Sequence, residues 1–180
     1  MRLRLPFEVI SSGVDESPLL GETPRALAER LASAKAQAGA VQHPAAIVIG
    51  SDQVCELNGQ PLGKPGDHAR AVAQLRALSG HSAVFHTAVA VACASRNFLR
   101  CELAPVRVQF RNLGDDEIER YLRLEEPYDC AGSAKSEGLG IALLSQIDSD
   151  DPTALIGLPL IRTAQLLREA GLDLLSAPRA

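Results

Sequence analysis

The 180-residue sequence has no tryptophan, one methionine, two tyrosines and four phenylalanines. Aromatics at 3% leave no platform for stacking single-stranded nucleic acid, so the core must be built from Leu, Val, Ile and Ala. The four cysteines (Cys55, Cys93, Cys101, Cys130) form no C-x-x-C pair, which argues against a closed zinc site. They read as reduced, small apolar residues. No block of Lys or Arg is present, and 18 basic against 22 acidic residues leave a net charge of −4. Gripping nucleic acid through its phosphates is therefore disfavoured. No apolar run reaches the length of a membrane span, and Met1–Gly13 lacks the charged-then-apolar form of a signal peptide. The expectation is a cytoplasmic protein with no membrane and no nucleic-acid polymer as partner. There is no internal repeat and no low-complexity linker. What is present is ordinary globular composition, 46% hydrophobic and 22% charged, in a chain of about one domain.

Helix and strand signals alternate. Leu5–Ser11 is short, partly β-branched and followed by Gly13, and reads as a strand. Thr23-Pro24 reads as an N-cap with proline at the first helical position. Leu27, Leu31, Ala34 and Ala38 then recur at helical spacing to about Ala40. Ala45–Gly50 is a continuous apolar run that predicts a strand covered on both faces. Gly59 and Gly63-Lys64-Pro65 mark a loop or short hairpin. Asp67–Leu78 reads as a helix stopped by Ser79-Gly80. Ser82–Ala94 and Leu103–Phe110 flank the turn signal Ser95-Arg96-Asn97, which predicts a long antiparallel hairpin. Asp115–Leu124 is an amphipathic helix opening on acids that suit its dipole. Ala131–Gly140 is glycine-rich, Ile141–Ile147 predicts a strand, Asp148–Thr153 a solvated acidic loop, and Leu158–Ala170 a last helix. The fold class is α/β to α+β, with a mixed sheet flanked by helices.

The strongest chemical signal is Ile47-Val48-Ile49-Gly50-Ser51-Asp52-Gln53, a buried strand that ends in glycine and presents an acid. In open α/β sheets ligands bind beyond such strand ends. A carboxylate there can hold a divalent metal or take a proton from water, though Asp52 could also simply cap a turn. Glu16, Lys64, Lys135 and Glu137 sit in glycine- or proline-framed loops. Lys35 lies between apolar Leu31 and Ala38, nearer the core than a solvent lysine. Carboxylates with several lysines suit a metal-assisted polyphosphate site, in which ammonium groups neutralise phosphate oxygens. Each lysine alone is more often a solvated surface residue. The Gly-x-Ser-x-x-x-Glu-Gly-x-Gly stretch has neither P-loop nor dinucleotide spacing. His81, His86 and the Asp148–Asp151 cluster read as structural or solvated.

Taken in order, Val14-Asp15-Glu16, Leu31-Ala32 with Lys35-Ala36, Gly50-Ser51-Asp52-Gln53-Val54, Gly63-Lys64-Pro65, Ser79-Gly80 with Thr87, Ala131-Gly132-Ser133 with Glu137-Gly138, and Gly157-Leu158-Pro159-Leu160 resemble the Maf family of nucleoside triphosphate pyrophosphatases. Each motif is weak singly; their order and spacing are specific and cover almost the whole chain. Ser51-Asp52-Gln53, Cys130–Ser133 and Lys135-Ser136-Glu137-Gly138 resemble the subgroup that hydrolyses 7-methyl-GTP. The dTTP/UTP subgroup usually carries Asp-Thr where this chain has Asp52-Gln53. The resemblance implies a Maf/ITPase-like fold with a cleft between two lobes, over residues 1–180 as one unit, usually as a homodimer. It implies cleavage between the α- and β-phosphates with Mg²⁺ or Mn²⁺. Carried over, Asp52 is the proton acceptor and Glu16 and Asp52 hold metal. Lys35 and Lys64 contact phosphates, and Gln53 and Glu137 select the base. A carboxylate near the base suits the positive charge that N7-methylation places on guanine.

The family opens with a strand and a Ser-x-Ser-x-x-Arg-Arg phosphate-binding turn that have no counterpart in this sequence. The expectation is that the start codon lies further upstream, or that the gene is shortened. Three other readings stay open: a dTTP/UTP pyrophosphatase of the same family, a catalytically impaired nucleotide-binding regulator of cell division, and a structural dimerising domain.

Overall fold

The computed structural model describes residues 3–176. In chain order its elements are helix α1 (Pro24–Gln42), strands β1 (Val48–Leu57) and β2 (Gln60–Leu62), helix α2 (His68–Leu78), strands β3 (Ser82–Cys93) and β4 (Phe98–Phe110), helix α3 (Asp115–Glu125), strand β5 (Leu144–Asp148) and helix α4 (Leu160–Glu169). The strands form one sheet in the order β2-β1-β3-β4-β5. The mixed α/β class holds. Every pairing among the described strands is antiparallel, so the parallel component expected of a mixed sheet is not seen there.

Small residues set how closely α1 approaches this sheet. Ala28, Ala32, Ala36 and Ala40 recur every fourth position and are all buried. Residues at that spacing share one helix face. They meet Ala88, Ala90 and Ala92 on β3, together with Val54. Gly50 on β1 completes the contact: a Cβ there would land on the backbone carbonyl of Ala32 and the amide of Ala36. Small against small draws the helix axis close to the strand. The buried stripe is thus offset from the expected Ala34 and Ala38, which stay partly exposed. The predicted N-cap is present, with Thr23 Oγ1 accepting from the Ala26 amide at 3.2 Å.

The opposite face of the sheet buries larger groups. Phe85, Val106, Val108 and Phe110 pack against Leu75 and Leu78 of α2 and Ile118 and Leu122 of α3. Further along β3, Val89 and Val91 pack against Leu166 and Leu167 of α4. Helix α4 is anchored by an unforeseen device. Asp151, expected in a solvated loop, is fully buried. Its Oδ2 accepts from the amides of Ile161 and Arg162, and its Oδ1 from the amide and hydroxyl of Thr153. Four donors converge on one carboxylate, which satisfies otherwise orphaned amides at the helix start. Asp151→Ala is expected to cost about 2–3 kcal/mol in urea unfolding, because buried donors lose their acceptor.

Three predicted strands move, the one read at Ile141–Ile147 only to Leu144–Asp148, after a 3-10 turn over Leu139–Leu143. Leu5–Ser11 is irregular chain: Leu3 and Leu5 pack against the α4 cluster, but Phe7 and Val9 are exposed and no ladder partner is supplied. β-branched content alone does not make a strand. The strand read at Ala45–Gly50 runs instead from Val48 to Leu57, because β3 pairs with it from Val48↔Ala92 to Glu56↔Val84. It reverses at Asn58-Gly59, both at positive φ as a two-residue hairpin turn requires. Strand β2 covers only Cys55–Leu57, so the outer edge of β1 from Val48 to Val54 meets no other strand among the described residues. Beside it lies a largely apolar groove of about 1160 Å³, lined by Leu5, Phe7, Ile10, Ile47, Ile49 and Leu158 among others.

Candidate active site

This apolar groove is not where the charged chemistry gathers. Asp52 lies mid-strand rather than past a strand end, and its side chain is on the α1 face of β1. Lys35 stands next to Ala36 on α1, above it. The close helix–strand approach at Gly50 lets Lys35 Nζ donate to Asp52 Oδ1 at 2.7 Å. The same nitrogen meets Glu16 Oε1 at 2.6 Å. Glu16 Oε2 in turn faces Lys64 Nζ at 3.5 Å. Four residues read from separate loops and helices therefore form one alternating chain of charge: Asp52, Lys35, Glu16, Lys64.

Exposure grades along that chain. Side-chain exposure is 12% for Asp52, 19% for Lys35, 44% for Glu16 and 61% for Lys64. Burial pushes the Asp52 carboxyl above its usual range, and the Lys35 hydrogen bond offsets this only in part. The Lys35 hydrogen bond holds Glu16 below its usual range. Burial pulls Lys35 down, but its bonds to Asp52 and Glu16 outweigh that and raise it overall. The inner carboxylate is thus the better proton acceptor and the outer one a fixed negative charge.

Gln53 and Glu137 do not join this cluster. Strand alternation turns Gln53 to the opposite face of β1. There its Nε2 donates to Thr87 Oγ1 at 2.8 Å and to the carbonyls of Ala154 and Leu155 at 3.0 and 3.2 Å. Glu137 is exposed in the 131–140 loop, which packs through Gly132 against Cys55, also on the opposite face. Burial pushes the Cys55 thiol up to about 12 and Cys130 up to about 11, which disfavours the nucleophilic thiolate at both.

Sequence reading missed Arg30. It lies on α1 before Lys35, its Nε donates to Glu22 Oε1 at 2.6 Å, and its Nη2 donates to Glu22 Oε2 at 2.9 Å. The Arg30 bond and the Leu19 amide hold Glu22 down to about 2. Nothing in the motifs flags this pair, since Arg30 fits an ordinary helix surface and Glu22 the loop before the N-cap Thr23.

Two carboxylates and two ammonium groups in one cluster have the chemistry to meet a polyanion with its counter-cation. Hard oxygens from Glu16 and Asp52 suit Mg²⁺ or Mn²⁺, which take one or two carboxylates and complete their shell with phosphate oxygens and water. No group of three or more His, Cys, Asp or Glu that could hold a metal occurs among the described residues. The family model described as Maf-like protein matches residues 1–170, and the chain belongs to the Maf family. The chain is similar to a protein named 7-methyl-GTP pyrophosphatase from Polaromonas sp. strain JS666, 68% identical over 173 residues, 96% of this chain and 79% of that protein. The same name is carried by relatives from Albidiferax ferrireducens, 63% identical over 98% of this chain and 88% of the relative, and from Bordetella avium, 59% identical over 98% and 89%. No helix among the described residues is long and apolar enough to cross a membrane.

Proposed function

We propose that this chain is a nucleoside triphosphate pyrophosphatase that hydrolyses 7-methyl-GTP to 7-methyl-GMP and pyrophosphate. The observation that carries the chemistry is Lys35 held between Glu16 and Asp52, with Lys64 at the rim. The substrate rests on the names of the relatives. These names favour 7-methyl-GTP over dTTP or UTP, and an enzyme over a regulator or a purely structural domain.

Asp52 accepts the proton of the attacking water. Its burial favours the protonated form that results. Water oxygen bonds to phosphorus as the bond between the α- and β-phosphates breaks, and the bridging oxygen leaves with pyrophosphate. Lys35 and Lys64 are placed to neutralise the charge that gathers on these oxygens. Glu16 and Asp52 would hold a divalent cation, which supplies further positive charge to the phosphates when bound. Gln53 and Glu137 are assigned to base selection. A triphosphate held at Asp52 would have to place its base toward the other face of β1 to meet them. The enzyme acts as one unit over residues 1–180, as a homodimer, in the cytoplasm where nucleoside triphosphates are found.

The test is product identity. With 7-methyl-GTP and Mg²⁺, pyrophosphate and 7-methyl-GMP are expected as the only products. Orthophosphate with 7-methyl-GDP would overturn the assignment of the bond cut.

A further inference from the structure

Glu16, like Lys64, is a member of the charged cluster that no regular element carries. It sits in irregular chain between Gly13 and the start of α1, and it is 44% exposed. Without a clamp, a loop glutamate would sample many rotamers and hold its place between Lys35 and Lys64 only part of the time. The backbone beside it is nevertheless pinned at two points. The Ser17 amide donates to Asp15 Oδ1 at 2.9 Å, and the Ser17 carbonyl accepts from Arg30 Nη2 at 3.0 Å. Arg30 is itself locked by the two-point bond to Glu22, whose side chain is only 8% exposed. Glu22 Oε2 also accepts from the Leu19 amide at 3.0 Å. One guanidinium therefore ties Ser17 and Glu22 to α1, the helix that also carries Lys35, and Glu22 in turn holds the Leu19 amide.

We propose that Arg30, with Glu22, is a positioning residue that fixes Glu16 against Lys35 and Lys64 and so sets the turnover of the site. The proposal rests on the reading that Glu16 acts in the reaction. Arg30 touches no reacting atom; it acts by holding the Ser17 peptide. A planar guanidinium is needed because one fork must serve a carboxylate and a carbonyl together, which a lysine ammonium cannot do in the same geometry.

The test is a double-mutant cycle on kcat for 7-methyl-GTP. Arg30→Met is expected to lower kcat about 10- to 100-fold, the scale of a catalytic group displaced by about 1 Å. Arg30→Lys should recover only part of that loss, and Glu22→Gln should fall between Arg30→Lys and Arg30→Met. In a Glu16→Gln background, Arg30→Met should change kcat less than about twofold, because the group it positions is gone. A purely structural role would lower both backgrounds equally. That additive result would overturn the proposal, as would an Arg30→Met enzyme with wild-type kcat. If Arg30→Met does not fold, Arg30→Lys and Glu22→Gln carry the same cycle. A Glu16→Gln enzyme with wild-type kcat would overturn the role of Glu16 itself, and this proposal with it. A slow Glu16→Gln enzyme with additive Arg30 loss would overturn this proposal alone.

Discussion

Asp52→Asn is expected to lower kcat for 7-methyl-GTP by about 10²–10⁴-fold, the usual contribution of a general base, while leaving the fold intact. The amide keeps the shape of the carboxyl and can still accept from Lys35, but it cannot take a proton from water. The sign of the electrostatics supports an intact fold. Burial raises the Asp52 carboxyl above its ordinary 3.8. A group that binds its proton more tightly folded than unfolded costs stability as pH rises through that window and beyond. Removing its charge at neutral pH therefore does not remove a stabilising ion, and Lys35 retains Glu16 at 2.6 Å. The same shift sets the pH profile. In the wild-type enzyme, kcat/KM should fall on the acid side with a midpoint above that of an ordinary aspartate. An unfolded Asp52→Asn protein, or one with wild-type kcat, would contradict the assignment.

Gly50→Ala should damage both stability and activity, although Gly50 touches no substrate. The added methyl would sit on backbone atoms of Ala32 and Ala36, so no side-chain rotation can relieve it. Helix α1 must lift from β1, at about 1–3 kcal/mol for overpacking a tight contact. A retreat of about 1 Å would also part Lys35 from Asp52, with a rate loss of about 10²-fold. Gly114→Ala is the matched control. Gly114 has an ordinary extended φ and open space where its Cβ would stand. It is the N-cap of α3, where alanine is poorer than glycine, so the variant should melt only slightly below the parent and turn over as the parent does. Thermal melts and kcat/KM on the two variants check both statements. A Gly50→Ala enzyme with unchanged melting temperature would show that the α1–β1 contact has slack.

Much of this was legible in the residues. Asp52, Lys35, Glu16 and Lys64 were each readable as candidates, because acids and lysines in glycine-framed or apolar settings are out of place. Thr23 declared its cap and Gly59 its turn by local chemistry. Properties that depend on distant partners were less legible. The extent of β1 follows from its ladder with β3, not from its own apolar run, so Asp52 lies within the strand instead of beyond it. The buried stripe on α1 is alanine, which hydrophobicity alone ranks below the leucines beside it. Asp151 looked like one more acid in an acidic loop; only the amides of Ile161 and Arg162 make it a cap. Arg30 and Glu22 are eight residues apart, one within α1 and the other just before its N-cap, a spacing with no motif.

The most direct test of the account is kcat/KM measured side by side for 7-methyl-GTP, GTP, dTTP and UTP with Mg²⁺. The account predicts that 7-methyl-GTP is preferred over GTP and over both pyrimidine nucleotides, and that the preference is seen in kcat/KM with pyrophosphate as product. A higher kcat/KM for dTTP or UTP would contradict it, as would binding of 7-methyl-GTP without turnover.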